Sequence, residues 1–353
     1  MRGIRRIGDR AVGAVAILAL VVAAAGCSKK TEAIPAAQDT GPVTLHLGYF
    51  PNLTHAPAMI GLEKGFFADE LGSNVTIKTA TFNAGGEAAT AMLSGALDIA
   101  YIGPNPAINA YAQSKGADVR IIAGSTSGGA ALVVKPGITS AAQLKGRKIA
   151  TPALGNTQDV ALRSWLISQG LKVTKEGGDV AIVAQANSQT LDTFKAGTID
   201  GAWVPAPWDT RLQVEGGGKV LVDEKTLWPD GKFVTTHVMV RTAFLRQHPG
   251  VVERFLRGHQ EAVQFANDHS DEAKTLVNGA IEKLTGKALK PEIINAAWAN
   301  LLFTVDPLAA TLRKSAEDAK KVGLLDPVDL SGIYDLKPLN AVLKALGKPE
   351  VTS

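Results

Sequence analysis

Small polar, amide and glycine residues collect at a few short loops of this 353-residue chain. They are Asn52, Thr54 and His55; Asn83 with Gly85 and Gly86; Pro104 and Asn105; and Ser125 to Gly129, which includes Ser127, Gly128 and Gly129. Further along come Asn156, Thr157 and Gln158, then Asn187 and Ser188, then Trp203 to Trp208. These are neutral hydrogen-bonding groups, and most of them sit just before a helical pattern. The start of a helix offers unpaired N–H groups and a partial positive charge. Several such starts facing one cleft would hold an oxyanion without any formal cation. Paired glycines let backbone N–H groups come close to a ligand. Trp203 and Trp208 bracket Val204-Pro205-Ala206-Pro207, a rigid apolar wall for an organic group. Competing readings stand beside these. Asn105 and Thr157 serve equally as plain helix caps. Trp203, on a strand, serves equally as core, which leaves Trp208 the better contact. Arg163 and Arg211 lie inside helices and read as solvated surface charges.

No reactive machinery stands out. The chain has one cysteine, which excludes internal disulfides and multi-cysteine metal sites. There is no His-Glu-x-x-His, and Gly124-Ser125-Thr126-Ser127-Gly128 puts threonine where a Gly-x-Ser-x-Gly nucleophile would stand. Gly216-Gly217-Gly218-Lys219 lacks the rest of a phosphate loop and follows a helix. The six histidines are scattered, with His248, His259 and His269 in helical contexts that read as solvated. No catalytic residue, metal site or cofactor is therefore expected.

The elements that must position the polar loops alternate between strand and helix. Val43 to Tyr49 alternates apolar and polar, as a half-buried strand does. Val75 to Phe82 is β-branched, and Leu97 to Ile102 is a third strand. Helices are predicted from Pro57 to Lys64, from Gly85 to Ser94 and after Asn105. The succession recurs with strands at Arg147–Thr151, Val180–Gln185 and Ile199–Val204, and helices between them. Gly95, Asp98 and Ala100 recur as Gly197, Asp200 and Ala202 at an offset of 102. Alternation of this kind predicts an α/β fold with parallel sheets and crossover helices, here as two similar lobes. Ala130 to Val134 and Thr235 to Val240 read as the crossings between lobes, lying side by side as a two-strand hinge. Glu292 to Phe303, among other late segments, has helical spacing and is placed around the first lobe. The expected division is 43–132 with 238–353 for lobe I and 133–237 for lobe II.

The charge of +4 sits largely at the N-terminus. Arg2, Arg5, Arg6 and Arg10 against Asp9 give +3, so +1 remains beyond residue 26. That near-neutral remainder removes the electrostatic argument for nucleic acid. Ala11 to Gly26 carries no charge, is short for a membrane-spanning helix, and ends in Ala24-Ala25-Gly26-Cys27. This is the pattern of a secretory signal over 1–26. It resembles a bacterial lipoprotein signal, which implies cleavage before Cys27 and lipid on its sulfur. Residues 27–42 are polar and small and read as a flexible tether.

Five stretches in order carry a wider resemblance: LHLGYFPNLTHAPAMIGLEKGFF, GGEAATAMLSGALDIAYIGPNPAI, LKGRKIATPALGNTQDVALRSWL, IDGAWVPAPW and HPGVVERFLRGHQEAVQFAN. Together they resemble the substrate-binding proteins of ABC importers in the nitrate/sulfonate/bicarbonate family, the taurine- and alkanesulfonate-like group. The resemblance implies a two-lobed clamshell that closes on its solute, and delivery to a permease with its ATPase. With the lipid signal at Cys27 it implies a monomer that is lipid-anchored on the outer face of the bacterial cell membrane, or periplasmic and membrane-anchored. It maps the anion-binding positions onto Asn52 and His55, Pro104 and Asn105, Ser127 to Gly129, and Asn156 to Gln158. Relatives often carry an acidic residue where this chain has Ala206, which favours an alkanesulfonate or related oxyanion over an aminosulfonate. Two other functions use this scaffold: binding of a thiamine, pyrimidine or flavin precursor, and pyrimidine-precursor synthesis.

Overall fold

The computed structural model describes residues 41–174 and 177–353. The signal at 1–26, Cys27 and nearly all of the tether lie outside the described residues. The chain opens with strand β1 (Val43–Tyr49), a 3-10 turn (Leu53–His55) and helices α1 (Ala56–Glu63) and α2 (Phe66–Leu71). Gly65, at φ +80°, makes the left-handed step between those helices. Next come β2 (Val75–Thr81), α3 (Gly85–Leu93), β3 (Ile99–Ile102), α4 (Pro104–Gln113) and β4 (Val119–Gly128).

The chain then enters a second sheet with β5 (Ala130–Val134), β6 (Lys148–Thr151) and α5 (Thr157–Ser168). A small ribbon, β7 (Val173–Thr174) and β8 (Gly177–Gly178), precedes β9 (Ala181–Ala184), α6 (Asn187–Lys195), β10 (Gly201–Pro205), α7 (Trp208–Val214) and β11 (Lys219–Asp223). It returns through two 3-10 turns to β12 (Val234–Arg241). Helices α8 (Thr242–Gln247), α9 (Pro249–Asp268), α10 (Ser270–Thr285) and α11 (Pro291–Trp298) follow, then β13 (Leu301–Phe303), α12 (Ala309–Lys321) and α13 (Lys337–Ala345).

The first sheet has the order β13-β4-β12-β3-β1-β2, and the second β11-β5-β10-β6-β9. Parallel pairs join β2, β1 and β3 in one and β9, β6 and β10 in the other. Both sheets are mixed, because the strands adjoining the crossings run antiparallel to their neighbours. Two strands do lie side by side at the crossing, but they are β4 and β12 and not the two expected segments. Ala130–Val134 pairs with β10 and β11 of the second sheet, while β12 pairs with β3 and β4 of the first. β4 and β5 are nearly continuous, and only Gly129 (φ +70°) separates them. The chain thus leaves the first sheet at a left-handed glycine, beside the returning segment Phe233–Thr235 to which Gly128 is bonded.

The internal repeat has a physical basis. The Asp98 N–H donates to the His46 carbonyl, and its carboxylate accepts from the His46 N–H at 2.9 Å, joining β3 to β1. The Asp200 N–H and carboxylate make the same pair of bonds with Lys148, joining β10 to β6. His46 and Lys148 are themselves 102 residues apart. An arginine meets each carboxylate, Arg241 on Asp98 and Arg147 on Asp200. Each lobe thus uses one aspartate to lock the register of its central parallel pair.

Two apolar clusters cover the faces of the first sheet and two those of the second. The late helices surround lobe I as expected, with α9 packed on α1, α2 and α13. Two of them also reach the other lobe, α12 against α5 and α11 against α7. Leu301 to Phe303 forms an edge strand on β4 and not the end of a helix. His259, expected in solvent, is fully buried; it meets the Tyr101 hydroxyl and the Gly124 carbonyl, each at 2.8 Å. The 3.6-residue period of α9 puts it on the apolar face, where tyrosine and backbone satisfy both ring nitrogens.

Candidate functional site

Loops from the C-terminal ends of β1, β2, β3, β6, β9 and β10 converge on one cavity between the two sheets, the place α/β folds reserve for ligands. Lobe I contributes Phe50, Asn52, Thr54, His55, Asn83, Gly103 and Thr235. Lobe II contributes Pro152, Asn156, Thr157, Gln158, Asn187 and Pro205. The volume open to the centre of a water-sized sphere is about 30 Å³. That is room for roughly two waters or a small polyatomic group. No Lys, Arg, Asp or Glu is among the lining residues.

Four helices start around this space: α3 and α4 from lobe I, α5 and α6 from lobe II. None has a side-chain hydrogen bond capping its N-terminus. The first-turn N–H groups of α3, α5 and α6 are therefore left to whatever occupies the cleft, whereas α4 offers only that of Asn105, since Pro104 and Pro106 carry none. The Thr157 hydroxyl and the Asn187 amide oxygen are buried without a protein partner. Such groups cost about 1–3 kcal/mol each when left unsatisfied, which favours a polar occupant.

His55 is buried and stacks on Phe50, with ring centroids 4.4 Å apart. Its Nδ1 accepts from the Phe50 N–H at 3.4 Å, which assigns the proton to Nε2. Burial lowers its pKa to about 3, so the ring is a neutral donor. The cleft is thus furnished with neutral hydrogen-bonding groups and helix N-termini.

Tight packing between lobes surrounds it. A Cβ on Gly103 would lie 2.7 Å from the Thr157 Oγ1; one on Gly85 would lie 2.3 Å from Pro106 Cγ of its own lobe and 3.2 Å from the Asn156 Oδ1 of the other. These glycines let the helix starts of one lobe press on those of the other. Behind α5, Asp159 holds the loop that carries Asn156. Its carboxylate accepts from the Thr151 hydroxyl (3.0 Å), the Gly155 N–H (2.9 Å) and Arg163 Nε (3.0 Å). Arg163 is therefore a buried structural cation and not the solvated charge that its helical position suggested.

Eight of the expected polar residues line the cavity: Asn52, Thr54, His55, Asn83, Asn156, Thr157, Gln158 and Asn187. Pro104 and Asn105 begin α4 directly behind Gly103, and Asn105 Nδ2 donates to the Ser315 carbonyl on α12. Ser127, Gly128 and Gly129 secure the crossings instead. Ser127 Oγ accepts from the Phe233 N–H, Gly128 exchanges bonds with Phe233 and Thr235, and the Gly129 carbonyl accepts from Ala206. Trp203 is fully buried in lobe II, edge-on to Trp165, with Nε1 donating to Glu224 at 2.7 Å. Its side chain falls on the core face of β10, so it makes no wall for a ligand. Trp208 is half-buried and reaches across the lobes to Asn52. Pro205, expected in the apolar wall, lines the cavity too; of the residues not expected as contacts, Phe50, Gly103 and Pro152 directly follow β1, β3 and β6. Thr235 lies on an antiparallel strand, where strand-end reasoning has no purchase.

Residues 38–279 match the NMT1-like family. The chain belongs to that family. A taurine-binding periplasmic protein of Escherichia coli (strain K12) is 31% identical over 211 residues, covering 59% of this chain and 62% of that protein. A Bacillus subtilis (strain 168) protein, named provisionally as an aliphatic sulfonates-binding protein, is 28% identical over 291 residues, covering 78% and 82%. Among solved structures, the periplasmic nitrate-binding protein NrtA from Synechocystis PCC 6803 superposes with a TM-score of 0.72 at 17% identity, covering 87% of this chain and 90% of that one. The fold of this family member is thus the periplasmic-binding-protein fold, two α/β lobes with a cleft between them. The named relatives are binding proteins.

Proposed function

We propose that this chain is the extracytoplasmic solute-binding subunit of an ABC importer, capturing a small oxyanion between its lobes for delivery to a permease. The observation that carries this reading is the interlobe cavity lined by neutral hydrogen-bonding groups and by helix starts without side-chain caps. Such a site attracts an anion through fixed dipoles and needs no cation. An aliphatic sulfonate is the first choice, because the taurine- and sulfonate-named relatives match over much of the chain. The cavity offers no carboxylate to an ammonium group, so a plain alkanesulfonate suits it better than an aminosulfonate. A second reading, nitrate or bicarbonate, is favoured by the 30 Å³ volume, which suits a bare oxyanion. Binding is the proposed role in place of catalysis. A ring-shaped pyrimidine or flavin precursor is disfavoured by the same volume and by the withdrawal of Trp203 into the core. Lipidation at Cys27 and anchoring on the outer face of the membrane belong to this proposal. Among the described residues no helix is long and apolar enough to cross a membrane.

The test is a thermal-shift series with methanesulfonate, ethanesulfonate, taurine, nitrate, bicarbonate and a pyrimidine. One oxyanion should raise Tm in proportion to the logarithm of its concentration, as binding to the native state requires. A shift with the pyrimidine and with no anion refutes the reading.

A further inference from the structure

Trp208 is the first residue of α7 in lobe II, and Asn52 lines the cavity from lobe I. The indole Nε1–H donates to Asn52 Oδ1 at 3.0 Å. We propose that Trp208 is a positioning residue, which turns the Asn52 amide so that its NH2 serves the oxyanion, and does so only when the lobes are closed. The inference rests on the oxyanion reading above and adds the origin of its selectivity.

An amide side chain has one accepting end and one donating end, and either can face a ligand. An indole N–H only donates. With the indole on Oδ1, the reversed amide would set N–H against N–H, so the orientation is decided. Asn52 Nδ2 then has no protein acceptor among the described residues, and its two N–H groups remain for the cleft. The Asn52 backbone is already committed, its N–H to the Phe50 carbonyl and its carbonyl to the His55 N–H, so the side chain is the adjustable part. Trp208 is itself held in place. The Arg211 guanidinium lies over its ring at 4.6 Å, and Glu215 anchors that guanidinium from one turn further along α7 at 2.8 Å. Arg211 is therefore kept for the indole. Since the two partners come from different lobes, an open cleft leaves the amide free to present either end. Preference for an anion over a neutral molecule of the same shape is then a property of the closed state.

Trp208→Phe keeps a ring for Arg211 and removes only the N–H. Calorimetry would compare methanesulfonate with neutral methanesulfonamide, and nitrate with neutral nitromethane. The variant should bind the anion about tenfold more weakly, the value of roughly one oriented hydrogen bond. Binding of the neutral partner should be unchanged or tighter, so the selectivity ratio falls about tenfold. In an Asn52→Ala background the same change should add nothing. Equal weakening of both partners, or a full effect without Asn52, overturns the positioning role and leaves the oxyanion reading standing. Wild-type protein that binds neither anion nor bicarbonate overturns both.

Discussion

Replacing Gly103 by alanine should separate closure from folding. Gly103 sits at φ −69° and ψ 159° just before α4, a conformation open to any residue. The added Cβ would meet the Thr157 Oγ1 of lobe II at 2.7 Å, with its next neighbours, Pro106 Cδ and the Thr235 carbonyl, at a comfortable 3.7 Å. Ordinary contact begins near 3.4 Å, so the shortfall is about 0.7 Å against a short, branched side chain. Overpacking of this size costs about 1–3 kcal/mol. Here it falls on the closed arrangement alone, because the clash is between lobes. At 1.4 kcal/mol per decade, the affinity for the bound oxyanion should drop about 5- to 150-fold. The unliganded Tm should hold or rise slightly, since Gly→Ala at a permitted φ stabilises by about 0.4–1 kcal/mol. Calorimetry gives the affinity, and small-angle scattering should show a larger radius of gyration as the lobes part. Adding Thr157→Ser, whose single γ oxygen can swing aside, should restore much of the binding. Affinity within twofold of wild type, or an unliganded Tm lowered by several degrees, would refute the argument.

Oxyanion affinity should be flat from pH 5 to pH 8, because His55, the one titratable residue lining the cavity, stays neutral until about pH 3; tighter binding below pH 6.5 would mean that it protonates there. Stability behaves differently. His55, His237 and His259 have pKa values lowered by burial to about 3, 4 and 4, so the unfolded chain takes up their protons first and stability is lost as pH falls from 6.5 towards 4. Burial raises Asp209 to about 6 and Glu224 to about 7, which works in the opposite sense over part of that window. Denaturant titrations across pH should therefore show a shallow dependence above pH 5 and a steep loss below pH 4.5. Trp203→Phe should lower stability by about 1–3 kcal/mol because the buried Glu224 carboxylate loses one of its two indole donors and keeps only Trp228, more at pH 8 than at pH 6, and leave oxyanion affinity unchanged. A loss of affinity there would return Trp203 to the ligand.

Local pattern made much of this molecule legible. Apolar alternation marks β1, glycines end helices at Gly95 and Gly197, and prolines open α1 and α4, because each depends on neighbours within a few residues. Strand ends followed by Asn, Thr and Gly located eight lining residues, since a parallel α/β unit delivers the strand's C-terminal loop to the same edge. The repeat of Asp98 at Asp200 marks two similar lobes in the sequence itself.

What the sequence determined by itself, then, is the succession of elements, the two lobes and the neutral, polar character of the loops between them. Tertiary structure decided which of those loops face the cleft and which hold the frame. Ser127 to Gly129, Trp203, Arg163 and His259 all carry chemistry that could serve a ligand, and each is consumed by a partner. Most of those partners are distant: Phe233 is 106 residues from Ser127, and Gly124 is 135 from His259. Trp208 went from ligand contact to interlobe latch because Asn52, 156 residues earlier, meets it across the cleft. A helical or strand period assigns a side chain to a face. Only the packing of one lobe on the other determines what that face meets.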